Sequence, residues 1–154
     1  MNNASEKIMA EKNHEYFMRQ ALREASKAYD KEEVPIGAVI VMNEKIIARG
    51  YNQVEALKDA TAHAEIIALT SAFNFLGSKY LPEATIYITL EPCAMCCGAL
   101  FWSKIARVVY GASDPKHGGL SLHKNLLHPK TLVVKDVLAH ECLRLIQNFF
   151  ITKR

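Results

Sequence analysis

The sequence predicts an α/β protein built on one central sheet with helices on its faces. Three observations lead there. Five short runs rich in β-branched residues, "VPIGAVIVM", "KIIARGYN", "ATIYITL", "ARVVYGA" and "TLVVKDV", alternate with stretches of helical apolar spacing. Their order, α-β-β-α-β-α-β-β-α, contains neither a repeat nor a linker, and strands separated by helices pack as a covered sheet. The length of 154 residues, half of them apolar and 23% charged, fits one domain with a real core.

Residues 1–12 are polar and are expected to form a flexible N-terminus ahead of a single domain over residues 13–154. From residue 14 to residue 29, Phe17, Ala21, Leu22, Ala25 and Ala28 recur at helical spacing. "VPIGAVIVM" and "KIIARGYN" flank a short polar turn at Asn43 and Glu44, which reads as a β-hairpin. "TAHAEIIALTSAFNFLG" is a helix with Thr61 as N-cap and Gly77 as its stop. "ATIYITL" is a strand, and "PCAMCCGALFWSKI" a helix with Pro92 in its first turn. The strand "ARVVYGA", the loop "DPKHGG", the short strand "TLVVKDV" and the amphipathic helix "LAHECLRLIQNFF" complete the chain.

No apolar run in the opening residues would serve as a signal peptide, and none approaches the ~18 residues of a membrane span. The expected location is cytoplasmic. There disulfides are rare, so clustered cysteines point to metal binding or catalysis. The net charge of +3 permits an anionic partner without demanding one.

The chemistry concentrates in two segments, His63-Ala64-Glu65 and Pro92-Cys93-Ala94-Met95-Cys96, each at the start of a helix that follows a strand. One imidazole and two thiolates suit zinc, and an open fourth position marks a catalytic rather than a structural site. A helix start favours the thiolate through its free N–H groups and positive dipole end. Spacing does not choose the second sulfur, because Cys96 and Cys97 lie three and four residues from Cys93 and both fit one helix face. Glu65 adds a group that can move protons. Positions i and i+2 point about 200° apart on a regular helix. His63 and Glu65 can therefore share a site only where side chains project past the helix end. Core packing of cysteines, a structural zinc completed by Cys97, Cys142, His117, His123 or His128, and a redox C-x-x-C are the competing readings.

With H-x-E followed thirty residues later by P-C-x-x-C, the sequence resembles the cytidine-deaminase-like zinc superfamily. The resemblance implies a three-layer fold with a mixed five-stranded sheet and helices on both faces. It also implies one Zn2+ per subunit on His63, Cys93 and Cys96, with Glu65 as the catalytic proton shuttle. It is the resemblance that selects Cys96 over Cys97. "EVPIGAVIV", "GYNQ", "DATAHAEIIAL", "YITLEPCAMCCGAL", "RVVYGASDPKHGG", "LLHP" and "LAHECLRLIQNFF" resemble the bacterial tRNA adenosine deaminases across nearly the whole chain. That family converts the wobble adenosine of a tRNA anticodon to inosine, usually as a homodimer.

The reaction so implied is attack of water on C6 of adenine. Glu65 carries a proton from the water to N1 and then to the amine, which leaves as ammonia. The partner would be a tRNA anticodon stem-loop, that of tRNA-Arg, with no membrane involved. Asn52 would hydrogen-bond the purine N7 or the ribose; from spacing alone it reads as a turn-forming asparagine. The Ala64 and Cys93 N–H groups would face polar atoms of the substrate. Glu91 would line the pocket or fix the cysteine loop. Val34, Pro35, Leu90, Asp114, Lys116, His117 and Phe150 would contact the base or the anticodon loop. The ending "NFFITKR" joins aromatics to a basic tail, which suits a splayed base beside phosphate. Cys97 departs from the family pattern and reads as a buried packing residue. The segment 129–137 looks shorter than in the best-known members. A free-base or nucleoside deaminase acting on guanine or cytosine is the nearest alternative. A non-catalytic RNA-binding subunit is a third, and the presence of Glu65 argues against it.

Overall fold

In the computed structural model, which describes residues 3–153, Asn43 and Glu44 both adopt positive φ, 52° and 62°. Two such residues make the hairpin turn whose twist matches right-twisted strands. β1 (Gly37–Met42) and β2 (Lys45–Tyr51) therefore pair antiparallel, with one register shift between Ile40 and Val41. β1 also pairs antiparallel with β3 (Thr85–Leu90). β3 then pairs parallel with β4 (Arg107–Ala112), and β4 parallel with β5 (Leu132–Val134). A parallel pair needs a crossover, which α4 (Ala94–Ser103) supplies between β3 and β4. The sheet order is β2-β1-β3-β4-β5, mixed and five-stranded as expected.

Alternation along the strands divides the apolar residues between two cores. Ala38, Ile40, Ile86, Ile88 and Val108 face one way, against Ala64, Ala68 and Ala72 of α3 (Ala64–Leu76) and Leu100 of α4. Val39, Val41, Tyr87 and Val109 face the other, against Phe17, Met18 and Ala21 of α1 (Asn3–Asp30) and Cys142 of α6 (Ala139–Thr152). These are the three layers. Two glycines permit the closest approaches. A Cβ on Gly37 would overlap the backbone of Ala21 and Ala25 in α1, and one on Gly50 would overlap the Ala64 carbonyl in α3.

Several local expectations are corrected. α1 starts at Asn3 rather than at residue 14. Residues 3–13 are exposed, and they hold that helix through strong formers such as Ala4, Glu6, Lys7, Ala10 and Glu11 rather than through burial. Residues 1 and 2 of the expected flexible segment, and the final Arg154, lie outside the described residues. Thr61 is not the cap of α3. Its N–H and hydroxyl bond Asp59 Oδ1 at 2.8 and 2.7 Å, and His63 holds the N-cap position. Pro92 precedes the α4 cap, Cys93, instead of lying in the first turn. Two four-residue helices, α2 (Val54–Leu57) and α5 (Gly119–Leu122), occupy segments that read as loop. The last strand shrinks to three residues because Asp136 turns the chain with φ 64°. Among the described residues, no helix is long and apolar enough to cross a membrane.

Candidate active site

β2 and β3 both run antiparallel to β1, so they end at the same edge of the sheet. The helices that follow them, α3 and α4, start there side by side. Their N-caps are His63, at φ −72° and ψ 155°, and Cys93, at φ −71° and ψ 173°. Neither side chain caps its own helix, which leaves both directed at each other. Cys96 is the third residue of α4 and completes the group.

His63 Nδ1 stands 3.7 Å from Cys93 Sγ and 3.5 Å from Cys96 Sγ, and the three ligand atoms lie within 4.8 Å of one another. Tetrahedral zinc with Zn–S near 2.3 Å and Zn–N near 2.05 Å requires an S···N separation of about 3.6 Å. The residues fit the ion. Among the described residues the group comprises His63, Cys93 and Cys96, without a fourth protein ligand. Cys97, the other helix-compatible sulfur, turns away. Its thiol reaches the Pro92 carbonyl at 3.6 Å, and it packs under Gly119, where an added Cβ would come within 2.8 Å of Sγ. Burial pushes the Cys97 thiol up to about 12, as befits a packed and unreactive sulfur.

The three donor groups share protons through hydrogen bonds with one another. Hydrogen bonds from Cys96 and then His63 hold Cys93 down at about 4. Cys96, which supplies a proton to that thiolate and is itself buried, is pushed up. His63 is raised by its hydrogen bond to Cys93. Glu65, the second residue of α3, is 4% exposed and lies against Cys96. Burial raises its pKa, so it holds a proton more readily than an ordinary carboxylate.

A cavity of about 150 Å3 opens over these groups, walled by Ile36, Leu90, Glu91, Asp114 and His117. It adjoins a cleft of about 580 Å3 that shares Ile36 and His63 and is lined further by Val34, Asn52, Ala64 and Phe150. The structure thus gathers most of the expected residues around one opening. Of the expected substrate contacts two stay outside it: Pro35 is buried, and Lys116 is exposed on its loop. Glu91 has both oxygens engaged, accepting from the Asp114 N–H at 3.1 Å, the Ser121 hydroxyl at 2.7 Å and the Ser121 N–H at 2.8 Å. It ties the 114–121 segment over the cysteine loop, where Gly118 bridges to Cys93. Asn52 donates from Nδ2 to the Val34 carbonyl at 3.2 Å and accepts from the Val54 N–H at 3.3 Å. Sequence reasoning missed Ile36, which belongs to both openings, and Glu33 of the cleft, whereas Phe149 and Lys153 of the cleft lie in the "NFFITKR" ending that it points to. Glu33 sits in "KEEV", a charged run that signals only a solvated surface.

A three-layer fold that brings H-x-E and P-C-x-x-C together beside a buried carboxylate defines a zinc-dependent deaminase domain. Residues 11–112 match the cytidine and deoxycytidylate deaminase zinc-binding region. The tRNA-specific adenosine deaminase of Aquifex aeolicus (strain VF5) is 50% identical over 118 residues, 77% of this chain and 78% of that one. That of Bacillus subtilis (strain 168) is 45% identical over 141 residues, 88% of each chain. A solved structure from a study of A-to-I editing by tRNA:A34 deaminases at the wobble position of transfer RNA superposes with a TM-score of 0.79. It shares 40% identity and covers 84% of this chain and 98% of its own. The chain belongs to the cytidine and deoxycytidylate deaminase zinc-binding family and, within it, to the tRNA-specific adenosine deaminases.

Proposed function

We propose that this protein is a zinc-dependent hydrolase that converts adenosine to inosine at the wobble position of a tRNA anticodon, that of tRNA-Arg, as a cytoplasmic homodimer. The observation that carries the reading is the buried Glu65 beside the His63, Cys93 and Cys96 donor set, under a small cavity that shares Ile36 and His63 with a larger cleft. When bound there, one zinc ion per chain supplies the Lewis acidity that makes water nucleophilic near neutral pH.

The chain's own groups do the rest. Glu65 takes the water's proton and delivers it to N1 of adenine as C6 is attacked. It then takes the water's second proton, from the hydroxyl now on C6, and passes it to the C6 amine; the C6–N bond breaks, ammonia leaves and the C6 carbonyl of inosine forms. Burial favours the protonated carboxyl between these transfers. Ala64 opens α3, so its N–H has no partner within the helix and can donate to the substrate across the cleft. After its two contacts, Asn52 retains one amide N–H and one oxygen lone pair for the purine. Phe150, 51% exposed with its ring beside Phe149, offers a face on which a splayed base can stack. Leu90 and His117 wall the cavity and Val34 the cleft, where Lys153 supplies positive charge, while Lys116 stands exposed on the loop that carries His117.

The homodimer rests on α4. Met95 and Trp102 lie seven residues apart on one face, 39% and 73% exposed, and nothing stands within 4 Å of a Cβ added at Gly98 between them. An uncovered apolar face of this kind suits a second copy of the chain.

Incubation with a tRNA-Arg anticodon stem-loop is expected to yield inosine at the wobble position by mass spectrometry, with guanine and cytidine left intact. Ammonia from guanine or cytidine, with unchanged adenosine in the RNA, would overturn the reading. Glu65→Ala is expected to abolish turnover while one zinc per chain remains; retained turnover removes Glu65 from its role.

A further inference from the structure

We infer that Glu33 is a positioning residue for base recognition, acting through Asn52 by clasping together the two backbone segments that wall the cleft; the inference rests on the function proposed above. Glu33 is 2% exposed, rare for a carboxylate, and it makes no ion pair among the described residues. Its Oε1 accepts the Glu55 N–H at 2.9 Å and its Oε2 the Ala56 N–H at 2.8 Å. These are the second and third residues of α2, whose first N–H groups have no partner within a four-residue helix. Gln53, the residue at the N-cap, makes no side-chain cap. A carboxylate from twenty residues upstream does that work instead.

The geometry links this cap to the cleft. Glu33 is itself anchored, its N–H donating to the Ala28 carbonyl at 2.9 Å at the end of α1. The next residue, Val34, offers its carbonyl to Asn52 Nδ2, and the first residue of α2, Val54, donates to Asn52 Oδ1. The backbone of Asn52 is tied across the same gap, its N–H reaching the Ile36 carbonyl at 3.1 Å. Both residues that fix the Asn52 amide thus adjoin the Glu33 contacts, one on each wall. With its amide held at both ends, Asn52 presents its remaining N–H and lone pair in one orientation. Without the Glu33 contacts the Glu55 and Ala56 N–H groups of α2 lose their acceptor, and the Val54 N–H that fixes Asn52 Oδ1 moves with them.

The test is a double-mutant cycle on the zinc-loaded full chain with the anticodon stem-loop as substrate. Glu33→Gln replaces one acceptor oxygen by an amide donor that cannot accept a backbone N–H. It is expected to lower kcat/KM about 10- to 100-fold, with zinc content unchanged. Asn52→Ala is expected to lower it comparably, and the double variant to lose little beyond Asn52→Ala alone. A purely structural role would give losses that multiply in the double variant, and that outcome overturns the inference. So does a Glu33→Gln protein with wild-type kcat/KM. Should Glu33→Gln not fold, Glu33→Asp, which keeps the charge and shortens the reach, goes through the same cycle under the same criteria. A wild-type protein inactive on the stem-loop would sink the proposed substrate; multiplying losses in an active protein sink the Glu33 role alone.

Discussion

Cys96 and Cys97 are chain neighbours with opposite surroundings, and the difference is decided by where α4 begins. Spacing alone admits either as the partner of Cys93. With Cys93 at the N-cap, Cys96 falls toward His63, while Cys97 falls toward the Pro92 carbonyl and Gly119. Cys96→Ala is therefore expected to lose both zinc and deamination. Cys97→Ala should keep one zinc per chain and full turnover, at a cost in stability of about 1 kcal/mol, read by metal analysis and thermal denaturation. A second residue-scale expectation concerns His14, which bonds the Tyr87 hydroxyl at 2.9 Å in a pocket shared with Arg107, Glu44 and Glu83. Burial, reinforced by Arg107, lowers its pKa below 6.5. Below that unfolded-state value the unfolded chain takes up a proton that the folded chain resists. This contribution to stability is therefore lost as the pH falls from 6.5 toward the folded-state value. His14→Gln should flatten the decline of the urea midpoint across that interval; an unchanged slope would show that His14 does not contribute to it.

Among the elements, α3 matters most for the site because it carries both His63 and Glu65 and is pressed onto β2 at Gly50. A methyl group there would enter the space of the Ala64 carbonyl and stand 2.8 Å from the Ala68 N. Gly50→Ala should destabilise the fold by about 3 kcal/mol or more and weaken zinc retention, since it displaces the first turn that bears a ligand. Wild-type stability and zinc content in this variant would refute that coupling. The strands were legible in the sequence because "ATIYITL" and "RVVYGA" are short β-branched and aromatic runs, buried along nearly their whole length as central strands covered on both faces are. The misreadings have local causes. α2 and α5 are too short to show any period, and residues 3–13 of α1 bury nothing that would mark them. Thr61 is a good capping type whose hydroxyl was taken by Asp59. The candidate zinc donors were legible as motifs, whereas Glu33 was not: its meaning depends on Glu55 and Ala56, which only folding brings near.

At the scale of the molecule, one sheet separates two cores, and all the chemistry lies where β2 and β3 end. The large apolar side chains left uncovered on α4 lie on the helix that holds two of the three ligands. Trp102→Glu is expected to shift the protein from dimer to monomer in sedimentation while zinc content stays at one per chain. A wild-type protein that sediments as a monomer would remove the homodimer from the proposal.

The paired helix starts have a further use as a gauge. The Ile67 N–H donates to the His63 carbonyl at 3.1 Å, and the Cys97 N–H to the Cys93 carbonyl at 2.9 Å. Each ligand residue thus accepts the first hydrogen bond of its own helix. An ion gripping both side chains restrains those two carbonyls at once, so opening either turn means deforming the coordination shell. The amide protons of Ile67 and Cys97 should then exchange with deuterium slowly in loaded protein and quickly after chelation. Two backbone positions that never touch the metal would record how much of it is there.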